Sequence, residues 1–231
     1  MNYWWGTDYK SSWERYVLEY ILKKEKKDIT VFDVWANIWW YCKMCIDVFW
    51  NKLQKIYCFE PSKDTFNQIK KNVIENKNII INNLWLWERE QILVLYSIKN
   101  DSWWASLYNR DLSHINLNSN LSEKVSITTL DDYTKENNIN TITLLKLDIE
   151  WYELLALKWW IDIITSWKVK YIQFEFWWTW IDARIYFKDF WNFLSLQYNI
   201  YRILPNNLYH IKKYEETLEI FTCVNFLCVL K

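Results

Sequence analysis

Short apolar runs alternate with amphipathic stretches along most of the chain. Residues 29–34 and 169–176 are largely apolar, which is typical of strands buried on both faces of a sheet. Residues 184–197 instead place apolar side chains at helical spacing, as a helix with one buried face does. Strands that alternate with helices predict a parallel sheet covered on both sides. The predicted strands lie at 29–34, 55–60, 79–81, 91–97, 125–127, 142–149, 169–176, 199–204, 208–213 and 221–230, and the predicted helices at 12–27, 38–50, 62–73, 131–137, 152–165 and 184–197.

This order of elements predicts a Rossmann-like, doubly wound α/β fold. Its sheet is expected to be mostly parallel, with about seven strands and an antiparallel C-terminal strand. A length of 231 residues suits one domain over residues 1–231. Within it, residues 1–28 are expected to form a helical lead-in. The polar segment 98–123 is expected to run over the surface as a long excursion.

Charge and hydropathy exclude several classes of partner. The 28 Lys and Arg balance 28 Asp and Glu, so no basic face predicts nucleic-acid binding. No run of 18 apolar residues predicts a membrane span, and the polar residues 1–10 do not resemble an export signal. The sequence therefore predicts a cytoplasmic protein that binds neither nucleic acid nor membrane.

The cysteines are few and irregularly spaced. Five of them, in a chain with no export signal, are expected to be reduced thiols. Cys42 and Cys45 have the spacing of half a zinc site, but no second pair with that spacing follows. We therefore expect no metal.

The glycine and tryptophan contents are abnormal. The chain has 1 Gly and 19 Trp, whereas average usage of about 7% predicts roughly 16 glycines. Many tryptophans stand where turns need glycine, for example Trp35 after a strand, Trp50 after a helix and Trp167 between a helix and a strand. Because UGA encodes glycine in some genetic codes and tryptophan in others, we interpret the sequence as a translation that reads glycine codons as tryptophan. The alternative is a protein genuinely rich in tryptophan.

Polar residues end the first two strands of the predicted sheet. With glycine at 35 and 39, residues 33–39 read D-x-G-x-N-x-G, a turn in which Asp33 and Asn37 could bind a cofactor. Glu60 ends the second strand 27 residues after Asp33, where an acid can accept hydrogen bonds from ribose hydroxyls. NAD and S-adenosylmethionine both use such an acid. The lack of a third glycine position favours S-adenosylmethionine.

Further carboxylates end later strands. Asp148 and Glu150 follow the run 142–149, and Glu175 ends the run 169–176. Because the carboxyl ends of parallel strands share one edge of the sheet, these acids are expected to meet at the rim of the ligand site. There they could bind a substrate or remove a proton.

Together these segments resemble the FkbM family of S-adenosylmethionine-dependent methyltransferases over roughly residues 12–195. The resemblance implies glycine at five positions that hold tryptophan here: Trp35, Trp39, Trp87, Trp151 and Trp159. The matching segments are 31–39, 58–61, 83–87, 129–132, 146–158 and 172–175.

The resemblance also implies roles for individual residues. Asp33, Trp35, Asn37 and Trp39 would line the methionine side of S-adenosylmethionine, and Glu60 would hold its ribose. Asn83 and Leu84 would lie near the adenine. The catalytic positions facing the acceptor would be Asp148, Glu150 and Glu175, with Ser102 nearby. Apart from the resemblance, His114 is another candidate base, because the ordinary pKa of histidine suits that task.

The implied reaction is methylation of a hydroxyl on a sugar, glycan or related metabolite, which makes a small molecule or glycan the expected partner. Residues 98–123 would lie on the acceptor side. The oligomeric state is left open. Two alternatives remain at this point: an aromatic-rich module that binds carbohydrate or a protein partner, and a nucleotide-dependent oxidoreductase on the same fold.

Overall fold

The main sheet is built around β1 (Ile29–Val34), whose six residues are all buried. The computed structural model describes residues 12–37, 40–73, 76–98, 101–106, 121–149, 152–176, 178–181, 183–222 and 224–231. The other strands are β2 (Leu53–Phe59), β3 (Ile79–Asn82), β4 (Trp85–Leu86), β5 (Gln91–Ile98), β6 (Asp101–Ser106), β7 (Leu121–Thr128), β8 (Ile142–Leu147), β9 (Val169–Phe176), β10 (Tyr198–Leu204), β11 (Asn207–Ile211) and β12 (Val224–Leu230). The helices are α1 (Trp13–Lys24), α2 (Trp40–Phe49), α3 (Lys63–Asn72), α4 (Leu130–Glu136), α5 (Glu153–Trp159), α6 (Ile161–Thr165) and α7 (Phe187–Leu194).

Eight strands form the main sheet, in the order β11-β10-β12-β9-β8-β1-β2-β3. The five strands β9, β8, β1, β2 and β3 are parallel to one another. β12 pairs antiparallel with β9, β10 pairs antiparallel with β12, and β11 pairs antiparallel with β10. The predicted fold class is confirmed, with eight strands in place of about seven. The chain leaves β1 towards β2 and β3 on one side, and β8 lies on the other. The ends of β1 and β8 therefore form the point where the strand order reverses, which is where open α/β sheets bind ligands.

Two helices begin where the sequence places a capping serine. Ser12 accepts a hydrogen bond from Arg15 N at the start of α1, and Ser62 accepts one from Thr65 N at the start of α3. Such caps satisfy amide groups that have no partner inside the helix. The predicted N-cap of α3 is thus present, and it fixes the turn after β2. The predicted strand ahead of α2 is also present, and it leads into the turn after β1.

The helix predicted over 152–165 is interrupted at Trp160. This residue ends α5 and begins α6 with φ −96° and ψ 39°, outside helical geometry. Its indole is fully buried, and its Nε1 donates to the carbonyl of Trp87 over 3.0 Å. Burial of this large side chain outweighs the continuous helical pattern, so the expectation of one helix is wrong.

A second sheet, which the sequence did not predict, contains four strands in the order β4-β7-β5-β6. Residues 101–106 form β6 and pair antiparallel with β5, so this part of the supposed excursion over 98–123 is a strand. β7 likewise begins at Leu121, inside the same segment. Residues 107–120 lie outside the described residues. The Asn- and Ser-rich composition of this segment did not predict strands, because these strands are held by backbone hydrogen bonds to their neighbours.

The sheet separates two buried clusters. One contains Phe32 and Val34 and packs against α5 and α7, and the other contains Val31 and packs against α1 and α2. Because side chains alternate along a strand, Asp33 faces the same side as Val31, towards α1 and α2. The candidate acid on β1 is therefore enclosed by helices before any ligand is considered.

Cys42 on α2 and Cys58 on β2 face each other, with their Cα atoms 7.5 Å apart, beyond the usual range of a disulfide. Cys42 Sγ also donates to Asp33 Oδ2 over 3.5 Å, as a thiol does. Reduced thiols therefore remain the prediction for this pair. Cys45 and Cys228 are free and buried, and Cys223 lies outside the described residues. The carboxylate of Asp33 and the sulfurs of Cys42 and Cys58 lie within 4.8 Å of one another, one ligand short of a structural zinc site, so we assign no metal to this group.

Candidate active site at the carboxyl edge of the sheet

The turn after β1 is held by the backbone of the neighbouring strand. Trp35 N and Ala36 N both donate to the carbonyl of Phe59, each over 3.0 Å. Trp35 has φ 74° and Asn37 has φ 46°, so two residues of this turn are in the left-handed region. Glycine adopts this region without strain, and asparagine tolerates it better than other residues with side chains. The backbone is therefore that of the glycine turn expected from the sequence.

Glu60 connects the two turns that flank β2. Its side chain is 2% exposed, and its oxygens accept hydrogen bonds from Asn37 N (3.1 Å) and Ser62 N (2.9 Å). Burial raises the pKa of Glu60 to about 8, although the two backbone hydrogen bonds act in the opposite direction. The predicted ribose ligand thus also positions the first turn by holding Asn37.

The raised pKa of Glu60 has a consequence for stability. Its ordinary pKa is 4.5, so between 4.5 and about 8 the folded protein binds more protons than the unfolded chain. The free energy of unfolding should therefore fall as the pH rises through this window. We expect Glu60→Gln to flatten that fall, by at most about 1.4 kcal/mol per pH unit. Urea unfolding between pH 5 and 8 measures the effect.

Glu90→Gln is the matched control, because Glu90 is exposed on the loop before β5. It should leave the pH dependence of unfolding as it is in the parent chain. An equal slope in the Glu60→Gln variant would show that Glu60 does not carry the dependence.

Asn83 lies beside Glu60. Asn83 Nδ2 donates to the carbonyls of Glu60 (3.0 Å) and Pro61 (2.9 Å), which ties the end of β3 to the end of β2. Leu84 packs against the larger hydrophobic cluster. The place of both residues near the adenine stays a prediction.

Asp33 is a fully buried carboxylate at the end of β1. Burial raises its pKa to about 6, although the nearby ammonium of Lys146 acts to lower it. Lys146 Nζ lies 4.0 Å from Asp33 Oδ1 and 3.0 Å from Asp148 Oδ2. Sequence reasoning missed Lys146, although a lysine inside the otherwise apolar run 142–147 was a visible signal.

The structure describes two of the three predicted catalytic acids. Asp148 follows β8 directly and its side chain is 45% exposed. Glu175, near the end of β9, is partly buried and accepts from Asn225 Nδ2 over 3.4 Å. The structure thus brings two of the three acids to the ends of adjacent strands. Glu150, Trp39, Trp151 and His114 lie outside the described residues, and of Ser102 only its place in β6 is described.

A cluster of indoles packs between the turn after β1, the second sheet and α5. The ring centroids of Trp35 and Trp85 are 4.7 Å apart, those of Trp85 and Trp87 5.3 Å, and those of Trp87 and Trp159 4.9 Å. We call Trp35, Trp85, Trp87 and Trp159 the indole cluster. Three of its four members stand at positions where the family resemblance implies glycine. Trp85 Nε1 is buried and has no hydrogen-bond partner among the described residues, an unfavourable arrangement for an evolved core.

Positive φ angles support the same interpretation. Six residues other than glycine have positive φ among those described, and three of them are Trp35 (74°), Trp50 (44°) and Trp167 (63°). A bulky L-residue in this region costs about 1–2 kcal/mol. Trp50 and Trp167 are 76% and 54% exposed, so burial does not repay that cost. These are three of the positions at which the sequence analysis expects glycine.

The site meets some of the requirements of S-adenosylmethionine and not others. The glycine-type turn, the acids Asp33 and Glu60 and the amide of Asn83 fit a nucleoside cofactor with a charged methionine part. The indole cluster does not fit, because Trp35 adds a bulky side chain at the turn whose backbone should approach the cofactor. The backbone and polar groups therefore match the cofactor, and glycine at the family positions is needed to open the space.

Comparisons with known proteins identify a sequence family. The sequence model of "Methyltransferase FkbM domain" matches residues 33–203, which include β1 and its turn, Glu60, Asp148 and Glu175. No curated protein is similar enough in sequence to be matched. The match begins at Asp33, the first of the predicted cofactor residues.

Solved structures show a similar fold. Methyltransferase FkbM from Methylobacillus flagellatus KT has a TM-score of 0.56 at 15% identity, over 87% of this chain and 43% of that chain. The METTL16 methyltransferase domain has a TM-score of 0.51 at 13% identity, over 93% of this chain and 64% of that chain. A human methyltransferase 10 domain containing protein has a TM-score of 0.51 at 11% identity, over 95% of this chain and 82% of that chain. This chain thus spans less than two thirds of the first two structures.

In the part of the chain that the structure describes, each helix is too short or too polar to span a bilayer.

Proposed function

This chain belongs to the FkbM family of methyltransferase domains, and from that premise we propose that it methylates a hydroxyl oxygen of a sugar, glycan or related metabolite. The family and fold are those of S-adenosylmethionine-dependent methyltransferases. The observation that carries the proposal is the placement of Asp33, Glu60 and Asp148 at neighbouring strand ends beside the reversal in strand order. Cytoplasmic location remains a prediction from the sequence.

The donor side of the site is assigned to the first two strand ends. We assign Asp33 and Asn37 to the methionine part of the cofactor, together with the backbone at positions 35 and 39. Glu60 is assigned to the ribose hydroxyls, and Asn83 and Leu84 to the adenine. When bound, S-adenosylmethionine supplies a methyl group on a sulfonium sulfur, so transfer to an acceptor oxygen needs in-line positioning and a base for the hydroxyl proton.

Asp148 is our candidate for that base. Its carboxylate is at the rim of the site, is partly exposed and contacts Lys146 through one oxygen. The hydroxyl proton would pass to a carboxylate oxygen of Asp148 as the acceptor oxygen forms its bond to the methyl carbon. The bond between that carbon and the sulfonium sulfur would break with its electron pair on sulfur, so that S-adenosylhomocysteine leaves. Glu150 and Glu175 are assigned to the acceptor pocket, where they can bind further hydroxyl groups of a sugar.

Transfer of a labelled methyl group tests the proposal. The protein to use is the full chain with glycine at 35, 39, 87, 151 and 159, which we call the glycine form. We expect it to transfer the labelled methyl group to hydroxyls of mono- and oligosaccharide acceptors. Mass spectrometry should detect the resulting O-methyl ether. Asp148→Asn should lower kcat by about 10²–10⁴-fold, the usual contribution of a general base. Asp162→Asn, at an exposed position of α6, is the matched control and should keep the parent rate.

Other results would assign a different function. Labelling of RNA or protein without labelling of sugars would overturn the proposed acceptor and retain the reaction. Binding of a nicotinamide dinucleotide without binding of S-adenosylhomocysteine would indicate an oxidoreductase. Binding of glycans by the unaltered tryptophan-containing chain, without methyl transfer by either form, would indicate the aromatic-rich binding module.

A further inference from the structure

A row of three polar residues crosses the middle of the main sheet. Asp33 on β1 pairs in register with Lys146 on β8, and Lys146 pairs in register with Gln173 on β9. Asp33, Lys146 and Gln173 are 0%, 6% and 1% exposed, respectively. Residues in register on adjacent strands present their side chains to the same face of a sheet, here the face covered by α1 and α2. Three adjacent buried polar side chains in an apolar sheet need a physical explanation.

Lys146 is the centre of this row. Its Nζ is 3.0 Å from Asp148 Oδ2, 4.0 Å from Asp33 Oδ1 and 4.8 Å from the ring centroid of Tyr41 on α2. The hydroxyl of Tyr41 in turn donates a hydrogen bond to Gln173 Oε1 over 3.2 Å. The ammonium group thus has an acid on each side and an aromatic face above it, and it has little freedom to move.

The charges around Lys146 keep it protonated. Burial alone would lower the pKa of this amine, but Asp148, Asp33 and Glu14 on α1 outweigh burial and raise it. Glu14 belongs to the same group of charges, since burial raises its pKa to about 7 while Lys146 acts to lower it. Lys146 therefore cannot serve as the base that accepts a hydroxyl proton, and its role must be that of a fixed cation.

We propose that Lys146 is a positioning residue that couples the two halves of the site, holding the carboxylate of Asp148 in place on the acceptor side while it compensates the buried charge of Asp33. This inference rests on the proposed function, because Asp148 is the candidate base. It assigns a task to a residue on the strand between the donor side and the acceptor side. A lysine suits the task because a compact ammonium can approach two carboxylates that belong to different strands.

Removal of the cation should alter the titration of Asp33. The charged and titratable groups that face Lys146 are Asp33 on β1, Asp148 after β8, Glu14 on α1, and Tyr41 and Cys45 on α2. Gln173 on β9 is neutral. Because Lys146 acts to lower the pKa of Asp33 against the effect of burial, Asp33 should bind its proton at higher pH once the cation is removed.

Titration of Asp33 by carboxyl carbon NMR tests this without any cofactor. In the glycine form labelled with ¹³C-aspartate, the Asp33 signal is identified by its loss in Asp33→Asn. We expect Lys146→Met to move the titration midpoint of Asp33 up by at least one pH unit. Lys146→Arg keeps the charge and should leave it within half a pH unit of the parent.

Activity provides the second measurement. We expect Lys146→Met to lower kcat at pH 7 at least tenfold and to move the acidic limb of the pH profile upwards. Its Kd for S-adenosylhomocysteine should stay within threefold. Lys146→Arg should retain at least a third of kcat. Lys146→Gln provides a second neutral variant if the methionine variant does not fold, and thermal unfolding identifies that case.

Three outcomes would overturn the inference. The first is an unchanged Asp33 titration in a folded neutral variant, whether or not the protein transfers methyl groups. The second is a loss of kcat with no change in the pH profile and no rescue by Lys146→Arg, which would indicate a structural role. The third is a glycine form that binds no S-adenosylhomocysteine, which would overturn the proposed function and this inference together.

Discussion

Replacement of Trp35, Trp87 and Trp159 with glycine is expected to increase affinity for S-adenosylhomocysteine at least 100-fold. Trp35 and Trp159 each pack against neighbouring indoles of the cluster, and Trp87 contacts both Trp85 and Trp159. Removal of these side chains opens the cleft beside Asp33 and Glu60, and it relieves the positive φ of residue 35. Isothermal titration calorimetry of the two full-length chains measures the change.

Trp40→Ala is the control for that measurement. Trp40 begins α2, close in sequence to the same turn, but its side chain is exposed and is not part of the indole cluster. It should change the Kd less than threefold. Equal affinities of the triple glycine variant and the parent chain would contradict the assignment of the cleft, and tight binding by the parent would show that the indoles do not obstruct it.

The second large effect is a difference in protein stability between replacing a buried tryptophan and replacing an exposed one. Trp160→Gly should lower the free energy of unfolding by about 3–5 kcal/mol, the usual cost of deleting a large buried side chain. Trp160 is fully buried and its Nε1 donates to the carbonyl of Trp87. Trp50→Gly and Trp167→Gly should instead each raise stability by about 1 kcal/mol, because both residues are exposed and have positive φ. Urea unfolding of single variants measures all three.

Arg184→Gly is a useful comparison within that set. Arg184 also has positive φ (54°) and is exposed, so its replacement should stabilise to a similar extent as that of Trp50. A loss of stability in both Trp50→Gly and Trp167→Gly would contradict the interpretation that these positions require glycine. A neutral Trp160→Gly variant would contradict its assignment to the core.

Local patterns predicted most of the main sheet. β1 and β9 have the predicted bounds, because both are short apolar runs that the alternation of elements isolates. Ser62 caps α3 as predicted, since a serine ahead of amphipathic spacing is a direct local signal. These features depend on neighbouring residues only, which a sequence displays.

Features that depend on distant contacts were not predicted. The second sheet and the break at Trp160 both arise from packing between elements far apart in sequence. The candidate site shows the same division. The sequence located Asp33, Glu60 and Asp148 at strand ends, but the role of Lys146 emerges only from the register of three strands.

The carbonyl of Phe59, which accepts hydrogen bonds from both Trp35 N and Ala36 N, has a consequence for repair of the cleft. Because main-chain atoms make both of these hydrogen bonds, glycine at position 35 should keep them. The folded turn should therefore be no more mobile with glycine, and the space vacated by the indole should keep a fixed outline. Glycine would still give the unfolded chain more conformational freedom, which opposes folding and acts against the relief of strain at residue 35.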